Sequence, residues 1–399
     1  MKKSFDIVIV GGGITGLTAA ALLARSPVAA QLNIALVDAG KRPQFSISDD
    51  VSLRVSAIAS GSAELLASAG AWQAVLDARA SAYQHMRVWD EDDHEDSSSA
   101  LRFDAAEFAV PQLGFIVENL LLQDSLLRVL DDSDVSLSFD TPIRSLKRDG
   151  RQFCLALDEQ QLMADLVIAA DGARSFVRKC AGIATEDWPY EQHAFVTHLT
   201  PQLPHRDTAW QRFLRSGPLG MLPLADGRVS VVWSTTPETA ARACQADASE
   251  LGDMLTEASD EVLGELTVAG PRGSFPLCAR HARHYVQPGI ALIGDAAHAV
   301  HPLAGQGANL GLQDAHCLAE IIAEAVAGGE HPGDRPVLRR YERARKGANA
   351  TMLHLMTGLN QLFRTDSRVL GGVRSTGMRL FNRSGPVRER AVRVALGVR

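Results

Sequence analysis

Three carboxylates in this chain stand out by what precedes them. Asp38, Asp171 and Asp295 each follow an apolar, β-rich run, and the last two adjoin Gly172 and Gly294. An acid at the carboxyl end of a buried strand can accept hydrogen bonds from hydroxyls of a ligand lying across the strand ends. A fourth apolar run, Phe5–Val10, ends instead in Gly11-Gly12-Gly13-Ile14-Thr15-Gly16 and continues into LTAAALLAR, a strong helix former. Strand, G-x-G-x-x-G and helix in that order predict a phosphate cradle. Gly11 permits the tight turn, Gly13 lets the backbone approach a pyrophosphate, and Gly16 lets the helix pack closely on the strand. Free N–H groups and a partial positive charge at the helix start favour phosphate. Asp38 comes 22 residues after Gly16, at the end of strand Asn33–Val37, and is placed for the hydroxyls of an adenosine ribose. An acid there repels a 2′-phosphate. These residues predict a bound dinucleotide, with NAD and FAD both open.

The two later acids narrow that choice. Asp165–Ala170 reads as a buried strand running into Asp171-Gly172-Ala173-Arg174-Ser175. Taken alone, its Asp-Gly pair is also an ordinary turn signal. Ile290–Ile293 runs into Gly294-Asp295-Ala296-Ala297-His298, then the loop HPLAGQGANLG (residues 301–311), then a helix through Asp314, Leu318 and Ile321. Asp295 can accept hydrogen bonds from ribitol hydroxyls. Backbone N–H groups at Gly305 and Gly307 can hold the negative edge of a flavin at a helix start.

The trio GGGITG, DLVIAADGARS and ALIGDAAHAVHPLAGQGANLG resembles the single-component FAD-dependent aromatic hydroxylases, and the HPLAGQGANLG loop resembles the ubiquinone-biosynthesis hydroxylases among them. The glycine turns are generic to flavoproteins; the loop is much more specific. The stretches Ser52–Trp72, Leu113–Leu126 and Leu222–Trp233 agree, and the resemblance extends to about Lys346 and more weakly beyond. It implies FAD as cofactor. Gly11, Gly13, Ile14, Thr15, Gly16 and Asp38 would hold its ADP half. Arg54 and Gln123 would lie near the pyrophosphate or the ring. Asp171, Gly172, Gly294 and Asp295 would face the cofactor. Pro302, Gly305, Gln306, Gly307, Ala308 and Asn309 would line the flavin. Asp38 departs from the commoner glutamate, and its shorter arm weakens the ribose contact. The resemblance further implies a monooxygenase that hydroxylates the ring of a polyprenylated phenol or quinol, through a flavin C4a-hydroperoxide formed with NAD(P)H and O₂. With one dinucleotide motif in the chain, the nicotinamide coenzyme would visit transiently. No side-chain base or other catalytic residue is identified. A non-hydroxylating FAD oxidoreductase on a polyprenyl lipid, and a non-catalytic flavin subunit, are the alternatives.

These motifs need an α/β fold: a Rossmann-like FAD-binding domain built from residues 1–80, 108–182 and 277–330. Residues 81–107 and 183–276 read as a mixed β-sheet substrate domain, with a polar helical stretch at Pro237–Leu263. By the resemblance, this sheet roofs the flavin. Residues 331–399 read as a helical C-terminal segment, with Leu353, Met356, Leu359 and Leu362 on one face. The chain's 399 residues, 46% hydrophobic and 22% charged, suit a folded protein of more than one domain and exclude a disordered or fibrous one. Its five cysteines form no C-x-x-C pair, which predicts buried free thiols rather than disulfides or zinc.

Other conspicuous residues have plainer readings. His298 and His301 are expected in the flavin loop rather than on a metal, and His281 and His284 on the surface. The run Asp90–Asp96 is expected as a solvated hairpin tip between Met86–Trp89 and Leu101–Phe103. No basic and aromatic groove suits nucleic acid. The short apolar run after Lys2-Lys3 does not suit a signal peptide, and no window suits a spanning helix, so a cytoplasmic protein is expected. From His331 onward there are 15 Lys+Arg against 4 Asp+Glu, whereas the preceding residues hold 25 against 43. That basic segment reads as a helical cap or as a peripheral contact with anionic lipid; the resemblance implies the inner-membrane surface and other ubiquinone-biosynthesis proteins as partners of the protein.

Overall fold

Strand Lys2–Val10 lies between Gln161–Ala169 and Ile34–Val37 and runs parallel to both. Ser136–Ser138 and Ile290–Leu292 extend this sheet in the same sense on either side. The structure, a computed structural model, describes residues 2–365 and 368–397. Four of these strands end at one level, because Val10 pairs with both Ala169 and Val37, and Ala169 pairs with Leu292. The register therefore delivers Gly11, Asp38, Asp171 and Gly294–Asp295 to a single edge, the edge at which ligands bind in open α/β sheets. The central strands are apolar at nearly every position because helices cover both faces: Ile7, Val8 and Ile9 are fully buried. Helix Ile14–Ala24 packs against helix Gln306–Ala327 and is itself buried from Gly16 to Ala21 and at Leu23.

A second sheet of eight strands is mostly antiparallel. Its order is His298–Ala299, Leu266–Ala282, Thr185–Pro201, Val229–Thr235, Gly217–Pro223, Thr208–Leu214, His85–Asp90 and Leu101–Asp104. Thr208–Leu214 and His85–Asp90 are its one parallel pair among the described residues. Residues 277–282 belong to this sheet, whereas Ser81–Tyr83 pairs with Gly114–Glu118 in a separate three-stranded sheet with Val55–Ala59. These short stretches therefore fall on the other side of the boundaries expected at 277 and 81. The polar helical stretch is two helices, Pro237–Gln245 and Ala248–Ala258. Each starts on its own side-chain cap: the Thr236 hydroxyl accepts from Thr239 N–H and the Asp247 carboxylate from Glu250 N–H. Their apolar faces bury Ala240, Ala243, Leu251 and Leu255 against Phe195, Leu199 and Val231 of the sheet.

Three helices end the chain: Arg335–Arg364, Arg368–Arg383 and Pro386–Leu396. The buried stripe of the first is Leu353, Met356, Asn360 and Phe363, while the expected Leu359 and Leu362 are half-buried at its margin. The helix meets polar as well as apolar neighbours, so periodicity of apolar residues alone misplaces the stripe. The acidic tip is not simply solvated. Asp90 is 1% exposed and is held by Arg374 and Arg215. The thiols also differ from expectation: all five are free, but Cys180 is exposed and the other four are half-buried. No helix among the described residues is long and apolar enough to cross a membrane.

Candidate functional site

The glycine turn closes through contacts that only hydrogen allows. Gly11 has φ +114°, and a Cβ there would run into the backbone of Ala170 and Asp171. A Cβ on Gly16 would strike the Gly11 carbonyl. Gly13 is different: it is exposed, and nothing lies within 4 Å of where its Cβ would be. Two glycines therefore build the turn, and the third leaves its outer face open for a ligand to reach the backbone.

Asp38 sits beside this turn and is half-buried. Its Oδ2 accepts from Gly12 N–H at 2.5 Å and its Oδ1 from Gly40 N–H at 2.6 Å. The carboxylate thus ties two loops together and has only its remaining lone pairs for a ribose. Gln123, from helix Asn119–Asp131, donates through Nε2 to the Gly12 carbonyl at 3.0 Å. Asp171 divides its two oxygens. Oδ2 accepts from Phe176 and Val177 N–H at 2.6 and 3.0 Å, while Oδ1 is buried with no partner among the described residues.

The third motif meets the first at Thr15. Its hydroxyl oxygen lies 3.0 Å from where a Cβ of Gly294 would be and 2.5 Å from where one of Gly311 would be. Small residues are thus required where these segments cross. Asp295 is open to solvent on one side and hemmed in by protein on the others. That crowding raises its pKa above the ordinary value, against the opposing pull of His298, Arg54 and Arg280. Arg54 is exposed, just before strand Val55–Ala59.

The loop that follows is pinned from behind. Gly305, at φ +63°, fits closely over Ala57: a Cβ there would lie 2.7 Å from the Ala57 methyl. Asn309 is 2% exposed and uses its whole amide on backbone. It accepts from Ala59 N–H at 2.9 Å and donates to the carbonyls of Ala57 at 2.9 Å and Gly305 at 3.1 Å. Expected on the flavin ring, its side chain instead holds the loop on the strand behind it. Gln306 is buried, Pro302, Gly307 and Ala308 are half-buried, and the space beside Gly307 is open. Ile116, the cross-strand partner of Ala57, and Leu224 pack with Ala57 and line a cleft of 410 Å³ together with the Arg79–Glu118 ion pair.

A buried charge network sets the Gly294 turn from beneath. Asp314, fully buried on helix Gln306–Ala327, binds His298 Nε2 at 2.5 Å, Gly294 N–H at 3.1 Å, Arg345 Nε at 2.8 Å and Asn349 Nδ2 at 3.0 Å. Burial by itself would raise its pKa; His298 and Arg345 outweigh that and hold the carboxyl below its ordinary value. Sequence reasoning noted Asp314 only as part of a helix. The readable signals were an acid within an otherwise apolar helical face and Arg345 and Asn349 one turn apart on the next helix.

Of the remaining histidines singled out, His281 differs from expectation. His281 is half-buried, not on the surface. It meets the Tyr285 hydroxyl at 3.0 Å, and burial lowers its pKa to about 4. His301 is fully buried. It lies 3.4 Å from Gln192 Oε1 and edge-on to Tyr190, with its pKa lowered by burial to about 3. His284 is exposed, as expected.

The residues brought together fit a bound FAD. An open glycine backbone, an orphaned carboxylate oxygen at Asp171 and an enclosed but accessible Asp295 all lie at one sheet edge. The comparisons point the same way. Residues 4–355 match the FAD binding domain family. The 3-demethoxyubiquinol 3-hydroxylase of Escherichia coli (strain K12) is 35% identical over 397 residues, covering 98% of each chain. The mitochondrial ubiquinone biosynthesis monooxygenase COQ6 of Xenopus tropicalis is 34% identical over 438 residues, covering 98% of this chain and 93% of that one. In fold, the p-nitrophenol 4-monooxygenase PnpA of Pseudomonas putida DLL-E4 superposes with a TM-score of 0.78 at 18% identity, covering 99% of this chain and 97% of that one.

Proposed function

Because the chain belongs to the FAD binding domain family, we propose that it is an FAD-dependent monooxygenase that hydroxylates the aromatic ring of a polyprenylated phenol or quinol in ubiquinone biosynthesis, using NAD(P)H and O₂. The observation that carries this reading is the near end-to-end likeness to a 3-demethoxyubiquinol 3-hydroxylase, over a chain whose three glycine–acid motifs share one sheet edge. When bound, FAD supplies electron transfer from the nicotinamide coenzyme and the activation of O₂.

The protein's part is to bind, orient and exclude water. The Gly11–Gly16 turn and the start of the helix after it hold the pyrophosphate, with Gln123 bracing the Gly12 carbonyl. Asp38 reaches the ribose with what its backbone contacts leave free. Asp295 accepts from the ribitol chain, with Arg54 alongside. The backbone N–H groups of Gly305–Ala308, held in place by Asn309, would supply donors to a negative edge of the flavin. Apolar side chains of the large sheet, Val88 and Phe213, pack with Leu303 of the flavin loop and keep that side dry. The coenzyme visits transiently, and the enzyme works peripherally at the inner-membrane surface beside other ubiquinone-biosynthesis proteins.

The test is substrate-dependent O₂ uptake by the yellow holoprotein, with ¹⁸O from ¹⁸O₂ appearing on the ring of a prenylated phenol. NAD(P)H oxidation without ¹⁸O in the product would overturn hydroxylation. Asp295→Ala is expected to purify colourless while keeping the far-UV circular dichroism of the parent. Full yellow occupancy in that variant would remove Asp295 from the ribitol contact.

A further inference from the structure

The arginines of the last two helices divide into two groups. Arg374 and Arg388 turn inward. Arg374 pairs with Asp90 at 2.7 Å, and Arg388 pairs with Glu107 at 2.7 Å and lies over the rings of Phe103 and Phe108. Arg379, Arg383 and Arg390 turn outward and have no ion pair among the described residues. The same two helices carry the three most exposed large aliphatic side chains among the described residues: Leu380 at 69%, Val387 at 65% and Val394 at 62%. On helix Pro386–Leu396 the outward positions Val387, Arg390, Ala391 and Val394 follow the i, i+3, i+4, i+7 spacing of one face. The opposite face buries Val392 and Leu396 against Ala105, Phe108 and Leu113. This helix therefore docks by one apolar face and leaves a second one bare. The one acid of this helix, Glu389, lies off that bare face and is paired with Arg393.

We propose that this face, made by Leu380, Arg383, Val387, Arg390 and Val394, is a docking surface for an anionic lipid bilayer. A second copy of the chain would have to bury the two unpaired guanidinium groups of Arg383 and Arg390 against the same two, because a two-fold interface is self-complementary; like charges oppose that. Anionic headgroups supply the missing charge, and the aliphatic side chains enter the headgroup–acyl boundary. The position has a use on the reading of a polyprenylated substrate, on which this part of the inference rests. Met86 and Phe103 border both the apolar cluster that holds Val392 and Leu396 and the one that holds Leu303 of the flavin loop, so continuous apolar packing joins the docking helix to that loop.

The experiment is co-sedimentation of the FAD-loaded protein with vesicles of phosphatidylcholine alone or with 30 mol% phosphatidylglycerol. Each outward arginine is worth roughly fivefold in partitioning to an anionic surface. The double variant Arg383→Gln/Arg390→Gln is therefore expected to bind anionic vesicles at least tenfold more weakly. The triple variant Leu380→Asn/Val387→Asn/Val394→Asn is expected to bind them more weakly at high and low salt alike. All five positions are exposed or at the helix surface, so flavin occupancy, thermal midpoint and hydroxylation of a prenyl-free phenol in solution should match the parent. Vesicle binding unchanged in both variants overturns the proposal. So does binding to neutral vesicles that equals binding to anionic ones. A dimer in sedimentation equilibrium that the triple variant dissociates, without vesicle binding by the parent, would make the face a self-association surface instead. If vesicles bind as expected but no ring is hydroxylated, the docking surface stands and the enzymatic reading fails.

Discussion

Two fully enclosed carboxylates, each gripped by an arginine from the C-terminal helices, do different work. Asp314 holds four partners beneath the Gly294 turn, where its contacts decide the position of backbone that the cofactor must touch. Asp90 lies at the far hairpin, between Arg374 and Arg215, where its contacts brace the hairpin turn and the docking of the last helices. Asn382 donating to the Ala100 carbonyl and Ser375 meeting Asp93 reinforce that docking. The chemistry of the two clusters is alike. What differs is the backbone each one braces, and so a buried ion pair says little about function until its neighbours are known.

Breaking the two clusters should separate those roles. Asp314→Ala leaves Arg345 and His298 enclosed without their counter-charge. It should cost about 3–5 kcal/mol in urea unfolding and yield colourless protein. Retention of FAD at parental affinity would show that the Gly294 turn holds without the network. Arg374→Met removes the inner partner of Asp90 but leaves Arg215. A smaller loss of about 1–3 kcal/mol is expected, with FAD kept and with faster proteolysis near residue 365. Flavin loss in that variant would join the two regions that the comparison separates.

The smallest expected effect is on pH dependence. His281 and His301 are held neutral, at about 4 and about 3, below the ordinary histidine value. Between those values and about pH 6.5 the unfolded chain binds the extra protons, so stability falls as the pH drops through that window. His301, wholly enclosed, should contribute the larger share, on the order of 1–3 kcal/mol at the acid end, and half-buried His281 less. His301→Gln should flatten the slope of thermal midpoint against pH; an unchanged slope would place the acid sensitivity elsewhere. Asp314 acts in the same direction but lower, its contribution lost only as the pH falls below the ordinary carboxylate range.

The motifs themselves were legible because each is local. A glycine at a positive φ, an acid one residue past a strand and a small residue at a crossing are constraints within a few residues of chain, and Gly11, Asp38 and Asp295 could be found from them. The order of the strands was not local. That Val10 stands between Ala169 and Val37 is a matter of long-range pairing, and only this register carries three motifs to one edge. Asn309 shows the limit most sharply. Its place in the flavin loop was readable, but its amide faces backward onto Ala57 and Ala59, which only the packing of loop on strand decides. The acidic tip and the basic tail were each visible as charge runs. Sequence could not tell that Asp90 and Arg374, 284 residues apart, neutralise each other in the interior.

The sequence by itself therefore determined a dinucleotide site, the strand–turn–helix units and the excess of positive charge after residue 331, because composition and short spacing encode these directly, while FAD as the dinucleotide rested on the resemblance. The tertiary structure decided which charges are internal ties and which remain outside. Arg374 and Arg383 are the same residue type on the same helix, yet one is enclosed against Asp90 and the other meets solvent. The physical reason is that a charge can be buried only where the fold brings its partner, and that partner lies far away in the chain.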